Sequence, residues 1–253
     1  MKMFDDIAGE LVKARRVLFI TGAGVSADSG LPTYRGVGGL YNDGATEDGL
    51  SIEDALSGEC LAARPEITWK YLAQIERNCH EVEPNAAHRA IVALEQGREV
   101  VVLTQNIDGL HFKAGSSGVI EIHGTLEKRY CAHCGTESDA SDRNVPPRCA
   151  QCGKIVRPRV VLFGEMLPSA ALECLYREME KGFDLVFVIG TTAVFPYIAE
   201  PVTRAVRAGV PTVEINPART RLSDLVRYYV PERAALALPE IVRLAGEAKA
   251  GRA

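Results

Sequence analysis

Residues 16–27 read Arg16-Val-Leu-Phe-Ile-Thr21-Gly22-Ala-Gly24-Val-Ser26-Ala27. A short, continuous apolar run ends in a glycine-rich turn. This is the pattern of a strand covered on both faces that feeds a loop and then a helix. Glycines at such a turn let the backbone approach a pyrophosphate, and a helix N-terminus adds N–H groups and a favourable dipole. G-x-G-x-x-A alone also describes an ordinary tight strand–helix turn. The acidic residue expected about twenty residues on, closing a second strand, is not evident. That disfavours a plain hydride-transfer enzyme and leaves dinucleotide binding open.

Working outward, similar apolar runs recur at 99–104, 119–122, 160–163, 185–190 and 211–216. Between them, 84–96, 169–181, 196–208 and 231–245 have helical length, and several begin near a proline, which suits a first helical turn. Phe4, Ile7, Ala8, Leu11 and Val12 recur at helical spacing and predict an opening amphipathic helix. The alternation predicts an α/β fold, a parallel sheet covered on both faces. Two segments break it. Residues 34–60 are rich in glycine and acidic side chains and read as a long loop before a helix over 65–78. Residues 125–158 read as a small inserted module.

The chain has 253 residues, 47% of them hydrophobic, and 33 acidic against 29 basic side chains, a net charge of −4. That length suits one large domain, or a domain carrying a smaller insertion. The slightly acidic balance argues against a nucleic-acid backbone as main partner. No signal-peptide core stands in the first ten residues and no apolar run is long enough for a membrane span. We expect a cytoplasmic protein.

Seven cysteines are an odd number, and four of them form two C-x-x-C pairs, Cys131-Ala-His-Cys134 and Cys149-Ala-Gln-Cys152, fourteen residues apart. Each pair presents two thiolates toward one point, and two pairs supply the four tetrahedral ligands zinc prefers. Gly135 and Gly153 follow the pairs and permit the tight turn round a metal. Four sulfurs close the coordination shell, which predicts a structural metal.

The stretch Gly22-Ala-Gly-Val-Ser-Ala-Asp-Ser-Gly-Leu-Pro-Thr-Tyr-Arg-Gly36 resembles the signature loop of the sirtuins, the NAD-dependent protein lysine deacylases. Thr104-Gln-Asn-Ile-Asp-Gly-Leu-His111 resembles their second signature. Ile122-His-Gly124, shortly before a four-cysteine module, resembles the third. Phe163-Gly-Glu165 with Leu167-Pro168, Gly190-Thr-Thr192 and Val213-Glu-Ile-Asn216 are further matches in family order. The resemblance implies one catalytic domain over 1–253. Its Rossmann-like parts would be about 1–33, 84–124 and 157–253. A cofactor loop with a helical insert would span about 34–83, and the zinc module about 125–156.

It also implies the chemistry. NAD would lie in the cleft between the parts, and an acyl-lysine peptide would add a strand beside Val160, Val161, Phe163, Gly164 and Glu165. The acyl oxygen attacks the nicotinamide ribose and nicotinamide leaves. A histidine base then activates a ribose hydroxyl, giving free lysine and O-acyl-ADP-ribose. His123 matches that base, since imidazole titrates near neutrality. Asn106 and Asp108 would orient the carboxamide. Gly22, Ala23, Gly24, Ser26, Ala27, Tyr34, Arg35, Gln105, Ile107, Gly190, Thr191, Thr192, Asn216 and Ala234 complete the expected NAD contacts. Tyr34 stands where the family more often has Phe, and Thr191 and Thr192 replace the commoner serines.

Family members that prefer succinyl or malonyl groups carry a Tyr and, three residues later, an Arg on the helix after the loop. Alignment on Trp69 puts Leu72 and Ile75 there; alignment on Tyr71 puts Tyr71 and Gln74 there. Neither supplies a cation for a dicarboxyl group, so neutral acyl groups are expected, acetyl first. Protein ADP-ribosyl transfer and a non-catalytic NAD- or ADP-ribose-sensing module are the alternative readings. The expected partners are acyl-lysine segments of proteins, with no specific nucleic acid, no membrane and a monomeric state.

Overall fold

The computed structural model describes residues 2–33, 46–139 and 145–251. In chain order the elements are α1 (Lys2–Lys13), β1 (Arg16–Thr21), α2 (Ile52–Ala55), α3 (Gly58–Ala63), α4 (Pro65–His80), α5 (Ala86–Leu94), β2 (Glu99–Thr104), α6 (Leu110–Ala114), β3 (Val119–Glu121), β4 (Gly124–Tyr130), β5 (Glu137–Asp139), β6 (Arg157–Val160), α7 (Ser169–Glu180), β7 (Leu185–Ile189), α8 (Pro196–Arg207), β8 (Thr212–Ile215), β9 (Tyr228–Val230) and α9 (Ala234–Ala250). Two single 3₁₀ turns, Ala23–Val25 and Ala27–Ser29, follow β1.

Among the described residues, six parallel strands form one sheet in the order β3-β2-β1-β7-β8-β9. The chain fills one half outward from β1, then returns to its other side and fills the second half. Numbered along this sheet alone, that is the 3-2-1-4-5-6 order of doubly wound folds, with the crevice where the two halves diverge. The continuous apolar strands follow from burial on both faces. Val17, Phe19, Phe187 and Ile189 pack with α1, α5 and α9; Leu18, Ile20, Val186 and Val188 pack with α7 and α8. Phe19 and Phe187 stack at 4.8 Å on adjacent strands. Each such fully buried large side chain contributes roughly 1.5–3 kcal/mol.

A smaller, antiparallel sheet has the order β5-β4-β6. The apolar run at 160–163 therefore does not enter the parallel sheet: Val160 ends β6 and pairs with Gly124 of β4. An apolar run announces burial without saying which sheet it joins. The helical insert and the cysteine ribbon share one core, in which Trp69, Leu72, Leu126, Cys131, Cys149, Val156 and Leu162 meet. Trp69 Nε1 donates to Val156 O (3.0 Å). Arg129 donates to both carboxylate oxygens of Glu76 at 2.9 Å, a buried ion pair that ties α4 to β4.

Candidate active site

The carboxyl ends of β1, β2 and β7 and the β6 side of the smaller sheet enclose a cavity of about 460 Å³, ordinary for a small-molecule site. Gly22, Ala23 and Gly24 line it, but no α-helix opens there as the sequence suggested; the two 3₁₀ turns take its place. The glycines are required by packing. A Cβ on Gly24 would lie 2.6 Å from Gly190 Cα, and one on Gly22 would lie 2.7 Å from Thr191 Cβ. Gly22 N–H donates to Ile189 O (3.1 Å) and Gly24 N–H to Gly190 O (2.8 Å). The loop after β1 thus lies directly on the loop after β7, and both form one wall.

The segment after β2 forms the floor. Gln105 Nε2 donates to Thr191 Oγ1 (2.8 Å), and Asn216 Nδ2 donates to Thr191 O (3.1 Å), so Thr191 ties three strand ends together. Asn106, buried, donates through Nδ2 to Gly22 O (3.2 Å) and Ser26 Oγ (3.1 Å). Asp108 accepts from Ser26 Oγ (2.7 Å) and Leu110 N–H (3.0 Å). Burial pushes its carboxyl above the ordinary aspartate value against those hydrogen bonds. Ser26, Asn106, Ile107 and Asp108 line a second, smaller cavity of about 40 Å³ that shares Ala23, Ile75, Asn106 and Ile107 with the first.

His123 stands in the larger cavity. Its Nδ1 lies 2.9 Å from Gln105 O, an atom that only accepts, so Nδ1 carries the proton and Nε2 is the basic nitrogen. Burial lowers its pKa below the ordinary histidine value, and the bond to Gln105 O works the other way. The two other buried histidines serve the framework. His111 Nε2 meets Thr21 Oγ1 (2.9 Å) and its ring lies edge-on to His88 at 4.9 Å. Burial takes His88 down to about 4 and His111 down to about 3.

Starting beside the histidine, Val160, Val161, Phe163, Gly164 and Glu165 line the cavity. Val161 N–H donates to His123 O (2.9 Å), and Phe163 exchanges backbone bonds with Leu56 O and Gly58 N–H at 3.0 Å. Arg157 holds Glu165 through two 2.7 Å bonds. Leu72 and Ile75 also line this wall, whereas Tyr71 points elsewhere and donates to Asp48 Oδ2 (2.6 Å). Of the two alignments on α4, the geometry keeps Leu72 and Ile75 at the cavity. Thr192 and Asn216 lie on it as well; Ala27 and Ala234 do not. Tyr34 and Arg35 lie outside the described residues.

Leu162, Phe195, Tyr197 and Arg219 line the cavity without having been singled out in the sequence. Tyr197 Oη lies 2.7 Å from His123 Nε2. The available signal was an aromatic residue in the first turn of a helix, just after the Gly190-Thr-Thr192 run.

The four sulfurs of Cys131, Cys134, Cys149 and Cys152 all lie within 4.8 Å of one another. Four thiolates at about 2.3 Å from a tetrahedral zinc lie about 3.8 Å apart, so the cluster fits one zinc ion. The two knuckles are built alike. Gly135 N–H returns to Cys131 O (2.9 Å) and Gly153 N–H to Cys149 O (2.8 Å), both glycines in the left-handed region at φ 75° and 71°.

The Sir2 family model matches residues 22–196. The chain is 54% identical over 243 residues to "NAD-dependent protein deacylase 2" of Pseudomonas aeruginosa, covering 93% of this chain and 94% of that protein. A solved Sir2 homologue–NAD complex superposes with a TM-score of 0.86 at 35% identity, covering 96% of this chain and 94% of that one. A second structure, a Sir2 protein bound to a myristoylated histone peptide, gives 0.80 at 30% identity and covers 99% of both chains.

Proposed function

This chain belongs to the Sir2 family, and from that premise we propose how its residues divide the work of NAD-dependent removal of acyl groups from protein lysines. NAD, the co-substrate, supplies an electrophilic ribose carbon and a leaving nicotinamide. The strand ends of the parallel sheet bind it: Gly22, Ala23 and Gly24 through the backbone, with Gln105, Thr191, Thr192 and Asn216 at its riboses. Ser26, Ala27, Ile107, Gly190 and Ala234 complete this set, with Tyr34 and Arg35. Asn106 and Asp108 hold the carboxamide, in the small buried cavity where burial raises Asp108. The segment from Val160 to Glu165 pairs with the peptide, and Leu72 and Ile75 face the acyl chain. The zinc ion, held by four cysteines with no open position, is structural.

One observation carries this reading: His123 is held with Nδ1–H on Gln105 O and its basic nitrogen in the cavity. A base so prepared fits deacylation better than ADP-ribosyl transfer to protein or passive sensing. The apolar Leu72 and Ile75, with no cation at either position, favour neutral acyl groups, acetyl first. No helix among the described residues is long and apolar enough to cross a membrane. The partners in this reading are acyl-lysine segments of proteins, the site of action is the cytoplasm and the working unit is a monomer; the modest acidity supports no specific nucleic acid.

The test is incubation with NAD and acetyl-, butyryl- or succinyl-lysine peptides, following nicotinamide release and peptide mass. Acetyl and butyryl peptides should lose their acyl mass and the succinyl peptide should not. ADP-ribosylated protein with unchanged peptide mass would overturn the reading.

A further inference from the structure

We propose that Tyr197 relays the proton between the substrate hydroxyl and His123. The inference rests on the deacylase reading and adds a residue to it. Gln105 O fixes the imidazole proton on Nδ1 and leaves Nε2 with a single in-plane lone pair. The Tyr197 Oη, 2.7 Å away, occupies that lone pair by donating to it. A hydroxyl arriving in the cavity therefore meets the phenol oxygen, which still has acceptor capacity, and not the histidine nitrogen.

The transfer balances. The substrate O–H bond breaks and its proton bonds to Tyr197 Oη. The phenol's own O–H bond breaks in the same event, and that proton forms Nε2–H. The electron pair stays on the substrate oxygen, which becomes the nucleophile. The phenol is restored, and His123 ends as imidazolium with Nδ1–H still on Gln105 O.

The tyrosine is built to stay in place. It is the second residue of α8, after Pro196, whose fixed φ suits the first helical position. Its ring stacks on Phe195 at 5.4 Å with 12° between planes. Both rings meet the imidazole edge to face, at 5.9 and 6.0 Å. Burial also pushes the phenol up to about 12, which keeps it protonated and a donor at neutral pH.

Tyr197→Phe keeps the ring and its stacking and removes only the hydroxyl. Two rates separate a relay from a structural role. Deacylated peptide formed in a single turnover requires the base. Exchange of labelled nicotinamide into NAD, in the presence of acyl peptide, needs only the earlier bond cleavage. We expect Tyr197→Phe to slow product formation about a hundredfold, the lower end of the range of acid–base contributions, while exchange is kept. The double variant with His123→Ala should be no slower than His123→Ala alone, because the two groups act as one unit. Product formation as fast as in the parent, or faster, would show that the phenol merely occupies the substrate's place and would overturn the relay. Joint loss of exchange and product would assign Tyr197 to the framework and overturn it equally. If the parent protein forms no deacylated peptide, the deacylase reading falls first, and the relay with it.

Discussion

Gly24→Ala puts the packing of the loops after β1 and β7 to the test. A Cβ at Gly24 would stand 2.6 Å from Gly190 Cα and 2.8 Å from Gly190 O. Carbon atoms in contact prefer about 3.5–4.0 Å, so the loop after β1 must retreat by about 1 Å. That retreat breaks the 2.8 Å bond from Gly24 N–H to Gly190 O, worth about 1 kcal/mol. Overpacking adds roughly 1–3 kcal/mol. A combined loss of about 3 kcal/mol lowers Tm by about 6–12 °C in a chain of this size. The same displacement moves Gly22 and Ala23 in the cavity, and a 1 Å misplacement costs on the order of a hundredfold in turnover. Gly9→Ala is the control. Gly9 lies inside α1 with nothing within 4 Å of its added Cβ, so the change should stabilise by about 0.5–1 kcal/mol. The assay is thermal unfolding together with kcat/KM for NAD. If Gly24→Ala matches Gly9→Ala in both, the packing argument is refuted.

Stability should fall as pH drops below about 6.5, the ordinary histidine value. His88 and His111 stay neutral in the fold down to about 4 and about 3. The unfolded chain binds their protons first, so their stabilising contribution is complete above about pH 6.5 and lost towards pH 3–4. Urea midpoints against pH for the parent and for His88→Asn measure it: the variant should lose part of the slope, and an unchanged slope refutes the assignment. Removing the metal with a chelator should open the ribbon to proteolysis in step with loss of deacylation. Activity lost while the ribbon stays protected would contradict a structural zinc. The double change Leu72→Tyr with Ile75→Arg should raise turnover of succinyl over acetyl peptides about tenfold or more, since a hydrogen bond to a charged group is worth roughly 1.5–3 kcal/mol; an unchanged ratio would remove these two positions from the acyl wall.

What the sequence disclosed and what it withheld have physical causes. Strands β1, β2, β7 and β8 were legible because both faces are covered, which forces continuous apolar runs; edge strand β3, with only Ile120 buried, was legible from the apolar residues Val119, Ile120 and Ile122. Strand β9, Tyr228–Val230, escaped notice: it is a three-residue edge strand with only Val230 fully buried. The glycines after β1 were legible as glycines, but their reason was not. Only the register of β1 against β7 shows that Gly24 must pass Gly190 without a side chain between them. The choice between Leu72 with Ile75 and Tyr71 with Gln74 depended on helical phase, and in the fold Leu72 and Ile75 line the cavity while Tyr71 donates to Asp48. Tyr197 lies 74 residues from His123. No local pattern could pair them, because their meeting is created by β7 running beside β1 and delivering the start of α8 to the crevice.

The same topology links the cysteine cluster to the cavity. Cys131 and Cys149 are buried in one core with Leu72, Val160 and Leu162, three residues that also line the cavity. Val161 in turn bonds to His123 O. A zinc held by the two knuckles would fix the wall beside the histidine, with the Glu76–Arg129 pair pinning α4 to the same ribbon. Removing one partner of such a buried pair costs roughly 3–5 kcal/mol. The cavity is consequently shared between two cores: the strand ends of the parallel sheet form one side, and the ribbon with its helices forms the other. His123 sits at the seam, on the two residues between β3 and β4, where the chain leaves one core for the other.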